Sequence, residues 1–257
     1  MTRIERFRDA YWTWFLKPKS RGGLASRRVL TSHFQHAWKT GTPSDQCLVL
    51  DFLARTCETR GEATVHDGLR NRRSSIRGNA LVAALFWARK QALGRPLIGQ
   101  LKRIAIRSTN ESQRYLALEA LTEAGAVDAA WLIRVARRDS SDEVRQQAYA
   151  QLLPAGSKEA KRALLADVRR HPDYFGVAQE IWLHRSAVGL TEREELFLRG
   201  VIDRYVKWLQ HRLRDADGNQ ATRSMASDML ARFADEGLAV RPRNRRAVRQ
   251  PAPRASA

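Results

Sequence analysis

Apolar and small side chains recur three to four residues apart along most of this chain, the spacing of an amphipathic helix rather than a strand. The segment NESQRYLALEALTEAG, beginning at Asn110, places Leu116, Ala117, Ala120 and Leu121 on one helical face. The segment SDEVRQQAYAQLLPAG, beginning at Ser141, does the same with Val144, Ala148 and Leu152. At an offset of 31 the two match at Arg114 and Arg145, Ala117 and Ala148, Leu121 and Leu152, Ala124 and Ala155, and Gly125 and Gly156. Asn110 and Ser141 stand where an N-cap belongs, with acids in the turn that follows. Gly125 and Gly156 stand just past the last apolar residue, where a left-handed stop costs glycine no Cβ clash. A second apolar-periodic segment follows each glycine, AWLIRVARR from Ala130 and AKRALLADVRR from Ala160. Each unit therefore predicts helix, short turn, helix.

Such a pair cannot bury its apolar stripe alone, so further copies are expected beside it. RGNALVAALFWARKQALG from Arg77, with PLIGQLKRIAI as its partner, aligns at offset 37. DYFGVAQEIWLHR from Asp173 aligns at offset 30, with Phe175 in place of the arginine, and is followed by a long helix from Thr191. PSDQCLVLDFLARTC reads as an earlier helix capped by Ser44 or Asp45. The spacing, the D/N-x-x-x-R-x-x-A-x-x-x-L pattern and the helix pairs resemble HEAT repeats, in particular the short bacterial kind of roughly 31 residues, over about residues 75–214. The resemblance implies an all-α fold, an α-solenoid whose concave face is lined by the second helix of each pair. It also implies a binding role more often than a catalytic one, although some HEAT-like proteins are DNA glycosylases or chromophore lyases, and a fold does not fix a function.

The predicted organisation has three parts: an aromatic and basic N-terminal helix and linker over 1–40, a HEAT-like solenoid over 41–237, clearest at 108–138 and 139–170, and a disordered basic tail over 238–257. In the first helix Ile4, Phe7, Tyr11, Trp14 and Phe15 form one stripe, with Trp12 off it. That stripe predicts a cap on the solenoid's open end. Contact of residues 3–21 with a membrane surface is the alternative, given Lys17, Lys19 and Arg21 nearby. SMASDMLARFADEG predicts a last amphipathic helix before the tail.

Charge changes the picture. The 257-residue chain carries a net +19, unevenly spread. Residues 1–40 and 41–107 each hold +7, 108–170 hold +1, 171–240 hold −2, and 241–257 hold +6. Acids are scarce only towards the two ends, which points to a polyanionic partner for those regions. GLRNRRSSIRG supplies Arg70, Arg72, Arg73 and Arg77 in a predicted inter-helix loop, with Ser74 and Ser75 as hydroxyl donors. Guanidinium forks match phosphate oxygens at two points. Lys102, Arg103 and Arg107 lie on the second helix of an early unit and extend the patch, as do Arg27 and Arg28 upstream. Arg134, Arg137, Arg138, Arg162, Arg169 and Arg170 continue along later second helices, diluted by acids. Arg114 and Arg145, locked to the repeat, are expected instead to pair with acids of a neighbouring unit.

Other chemistry is thin. His33-x-x-His36 has helical spacing but lacks a second ligand pair, so no metal is expected. No Gly-rich phosphate loop, nucleophile elbow or dinucleotide fingerprint appears, and no cofactor is expected. Cys47 and Cys57 form no disulfide framework and are expected as small apolar residues on a helix. The start of the chain does not read as a secretory signal, and a cytoplasmic setting is expected. Three functions stay open. The first is a non-catalytic adaptor that holds nucleic-acid backbone with its basic half and docks a protein with its later repeats. The second is a pure protein-interaction scaffold for an acidic partner. The third is an alkylbase glycosylase of the HEAT-like kind, for which Trp131, Asp139, Asp167 and Trp182 would be the raw material.

Overall fold

The computed structural model describes residues 2–91 and 93–214, together with Ser224, Ser227, Asp228, Leu230 and Ala231. Among these the secondary structure is helical, with no strand. The chain divides into two compact units, Met1–Leu152 and Leu153–Ala257.

The first unit opens with α1 (Arg3–Leu16) and α2 (Arg21–Thr40). Helix α1 starts from a Thr2–Glu5 capping box and buries Phe7, Ala10, Tyr11 and Trp14. It packs on α2 and on α3 (Pro43–Thr56). Trp14 meets Phe52 of α3 edge-on, and the Tyr11 hydroxyl donates to Asp51 at 2.5 Å. Phe15, placed in the predicted stripe, lies on its exposed edge at 39%. The stretch expected as a linker is the 20-residue helix α2, because Ser20 caps it and Leu30, Phe34 and Ala37 give it an apolar face.

The cap of α3 is Thr42, not Ser44 or Asp45. Thr42 and Asp45 form a reciprocal box with Pro43 in the first turn, where its missing N–H leaves nothing unpaired. Asp45 is buried and receives Arg8 of α1 through two bonds of 2.6 and 2.8 Å. Those bonds outweigh burial and, with Thr42, hold the carboxyl down at about 2. Cys47 is on α3, whereas Cys57 is its left-handed C-cap, at φ 50°.

Then come α4 (Glu62–Leu69), α5 (Ser74–Ala88), α6 (Arg95–Arg107), α7 (Glu111–Glu123), α8 (Ala129–Arg138) and α9 (Asp142–Ala150). Helices α3, α5, α7 and α9 pack in series, each on the next, and α4 packs on α6. Helix α5 lies between two others and is buried on most sides, through Ile76, Ala80, Leu81, Ala83, Ala84 and Trp87. The Trp87 indole donates to the Leu53 carbonyl at 2.7 Å and so closes its one polar group inside the core. Helix α6 packs on α7, and α8 on α9, so these contacts join one sequence unit to the next.

Both repeat caps form as the pattern predicts: Asn110 accepts from the Gln113 N–H and Ser141 from the Val144 N–H. Gly125 and Gly156 both take positive φ, 60° and 73°.

The second unit contains α10 (Lys158–Arg170), α11 (Phe175–Leu183), the single turn α12 (Arg185–Val188) and α13 (Glu192–Arg214). Helix α11 packs on both α10 and α13. Lys161 of α10 ties this group together, donating to the Gly189 carbonyl at 2.9 Å and to Glu194 at 3.1 Å. Its core is Leu164, Leu165, Val168, Ala178, Ile181, Trp182, Val201 and Ile202. Of the last expected helix only the five positions named above are described, and all five are helical; the tail 238–257 lies outside the described residues.

Candidate nucleic-acid interface

The arginine cluster after α4 is not one long loop. Helix α4 ends at Leu69 and α5 begins at Ser74, so only Arg70, Asn71, Arg72 and Arg73 connect them, and Ser74, Ser75 and Arg77 are helical. The connection is held tightly. The Arg70 and Asn71 amides return to the Asp67 and Gly68 carbonyls, and the Asn71 side chain accepts from the Arg73 N–H at 2.9 Å. Arg77 reaches back from the first turns of α5 and donates to the Asn71 and Arg72 carbonyls at 2.8 and 2.9 Å. Its Nε also donates to Gln113 of α7 at 3.2 Å. Arg77 is thus a clamp that positions the loop, not a free guanidinium. Arg70, Arg72 and Arg73 are exposed and make no side-chain ion pair among the described residues.

Across from this loop runs α6. Arg103 and Arg107 sit one turn apart on its exposed side, and Arg103 is oriented by a 2.6 Å bond to the largely buried Gln100. The loop, α6 and the start of α7 enclose an open cleft of about 470 Å³. Arg70, Arg72, Arg77, Arg103 and Arg107 line it, with Asn71, Gln100, Ser108, Thr109 and Gln113 as neutral polar neighbours and no carboxylate. Five of the nine predicted phosphate contacts therefore converge here. Arg73, in the same loop, and Lys102, half-buried on α6, are outside the lining, as are Arg27 and Arg28, which lie exposed on α2. Arg27 instead adds to the field that holds the Glu58 carboxyl below its ordinary range, an effect due mainly to Arg60.

Gln113, on α7, is central here. It is 4% exposed. Its amide oxygen accepts from Arg77 and, at 3.1 Å, from the Ser108 hydroxyl, while its nitrogen donates to Ser74 at 3.0 Å. It locks the floor of the cleft across 39 residues of chain. Nothing local in the sequence marks it, because its partners are brought to it by packing.

The repeat-locked arginines behave as a ladder. Arg77, Arg114 and Arg145 each donate to the carbonyl six residues earlier, that of Asn71, Ser108 and Asp139. Arg114 also makes a two-point pair with Asp139 ahead of it, at 2.9 and 2.8 Å, with both side chains under a tenth exposed. Burial pushes the Asp139 carboxyl up, but Arg114 and the Ser141 amide prevail and hold it below its ordinary range. Arg145 differs: its remaining bond is to Asp142 in its own helix.

A smaller slot of about 150 Å³ is lined by Ala105 and Ile106 of α6, the helix that also lines the cleft, and by Trp131, Arg134, Val135, Arg138 and Asp139. Trp131 is half-buried. Trp182, in the second unit, is 4% exposed. Asp167 pairs with Arg170 at 3.5 Å. His33 and His36 lie on α2, and among the described residues no three His, Cys, Asp or Glu side chains gather as a metal site would require. No helix among the described residues is long and apolar enough to cross a membrane.

Comparison of the chain with models of known protein families, with curated proteins and with solved structures gives no match.

Proposed function

We propose that this protein is a non-catalytic, HEAT-like α-solenoid adaptor that binds the phosphate backbone of a nucleic acid in the cleft between α6 and the α4–α5 loop. One observation carries the reading: four arginines, Arg70, Arg72, Arg103 and Arg107, converge beside the clamp Arg77 on a single cleft that no carboxylate lines. Exposed guanidinium groups carried on a loop whose backbone is clamped are suited to phosphate oxygens. The serial packing of α3, α5, α7 and α9 supports the solenoid assignment, and the position of α1 on α2 and α3 supports its role as an end cap.

Recognition through backbone phosphate carries little sequence preference and strong dependence on salt. If about six to ten phosphates are contacted, affinity for a duplex falls by roughly 10³ to 10⁵ between about 50 and 200 mM salt. Fluorescence anisotropy of a labelled duplex over that range tests the proposal, and an affinity that stays flat rejects it.

An enzymatic role for the same region would need Asp139 as a free carboxylate. Both its oxygens are engaged, by Arg114 and by the Ser141 amide, which favours a structural role. The later helices carry the protein-docking part of the proposal, because residues 108–170 and 171–240 hold net charges of only +1 and −2. A scaffold for an acidic protein, with no nucleic-acid role, predicts a preparation whose ultraviolet absorbance shows no co-purifying nucleic acid.

A further inference from the structure

The slot beside the cleft has a chemistry that phosphate binding does not use. Its walls are the Trp131 indole and the aliphatic side chains of Ile106, Ala105 and Val135, and its rim carries Arg134 and Arg138. Trp131, Arg134 and Arg138 fall at positions i, i+3 and i+7 of α8 and so share one face of it. Ile106 is 60% exposed and so is open to a ligand. The one carboxylate in the lining, Asp139, is neutralised by its two-point pair with Arg114, so the slot keeps the positive sign of its surroundings.

The cleft and the slot are joined by α6, where Ile104 lines the first and Ala105 and Ile106 line the second. At about 150 Å³ the slot is well below the roughly 300 Å³ at which pockets for whole small ligands begin, and suits one flat group of a larger partner. A flat group with an aromatic face, attached to a polyanion lying in the adjoining arginine cleft, is a nucleobase. Within a duplex each base is stacked on both faces and cannot enter. Within a single strand it can be splayed out and stacked on an aromatic side chain.

Resting on the backbone-binding reading of the cleft, we propose that the protein prefers single-stranded nucleic acid, with one unpaired base seated against Trp131 and Ile106 while the flanking phosphates lie along Arg70, Arg103 and Arg107. The base is read by its ring face, so the site discriminates little among bases.

The test uses the full chain and three labelled probes of equal length, roughly 12 nucleotides, within the site size of known single-strand binders. These are oligo-dT, a strand of abasic residues with the same phosphates, and the matching duplex. Anisotropy at one low salt concentration is expected to show oligo-dT binding roughly tenfold tighter than the abasic strand, with the duplex near the abasic level. Trp131→Ala and, separately, Ile106→Ser should bring oligo-dT down to the abasic level and leave the abasic strand unchanged. Ile106 is exposed, so its variant tests the slot even if Trp131→Ala fails to fold. Equal affinity for oligo-dT and the abasic strand overturns the slot proposal, as does an oligo-dT advantage that survives Ile106→Ser. If no probe binds at any salt concentration, the phosphate reading of the cleft fails first, and the slot proposal with it.

Discussion

Two sets of arginines lie within a few turns of each other in the first unit and do opposite things. Arg114 is buried, gripped by Asp139 at two points and by the Ser108 carbonyl. Arg70 and Arg107 are exposed, face an acid-free cleft and hold no acid among the described residues. The same side chain is mortar in one place and a candidate ligand in the other. Counting positive charge does not separate the two. Pairing does, because a guanidinium whose donors are satisfied inside the fold has none left for a partner, whereas an exposed one loses little by exchanging water for phosphate.

The sharpest way to break this contrast is Arg114→Ala. It leaves the Asp139 carboxylate part-buried without its counter-charge, and the expected loss is about 3–5 kcal/mol of unfolding free energy, read by urea denaturation. A loss below about 1 kcal/mol would mean that the pair is a surface contact and the contrast false. The converse variants are Arg70→Glu and Arg107→Glu. Each should leave the unfolding free energy within about 0.5 kcal/mol of the parent, since neither side chain is tied into the fold. Each should also weaken nucleic-acid binding roughly tenfold or more and flatten its dependence on salt. Stability that drops in step with binding would assign both residues to the fold.

Acid supplies a test that needs no mutation. Asp45 and Asp139 are both held below their ordinary values by arginines, Asp45 at about 2 against an ordinary 3.8. A carboxyl depressed in the folded state contributes stability that is fully present above its unfolded value. As the pH falls through the window from about 4 to 2 the unfolded chain takes up protons first, so that contribution is progressively lost. Unfolding monitored by circular dichroism should therefore weaken across this window, and less steeply in Arg8→Ala, which removes the main cause of the Asp45 depression. An unchanged slope in that variant would discount the Arg8–Asp45 pair. Among the ion-paired arginines the smallest effect belongs to Arg145→Ala. Arg145 occupies the same repeat position as Arg114, yet it is about one-third exposed and its acid partner Asp142 is more than half exposed. The expected cost is about 1 kcal/mol or less, so the two equivalent arginines should differ several-fold in the same assay.

The helices and their ends follow from neighbours in the chain. Asn110 and Ser141 cap because a short polar side chain can reach an amide three residues on, and Gly125 stops α7 because glycine tolerates positive φ, whereas α9 already ends at Ala150 and Gly156 turns the chain towards α10 six residues later. Local pattern misled at two junctions. Thr42 displaced Ser44 as a cap because Pro43 fits the first turn and Asp45 completes the box. The basic residues between Arg21 and Thr40 suggest a linker and mask the apolar face formed by Leu30, Phe34 and Ala37.

What the sequence alone determined is the set of interactions within about four residues: helix, cap, stop and repeat. The tertiary structure alone decided which arginines are engaged and which are left open, that Gln113 locks the cleft, and that Trp131 and Ile106 share a slot. It also separates glycines the repeat makes equivalent: a methyl on Gly156 would come within 2.8 Å of the Ala187 carbonyl oxygen, whereas one on Gly125 would meet open space. The physical reason is range. Helix formation is governed by contacts a turn apart, while partners 25 to 39 residues away are chosen by the register in which whole helices pack.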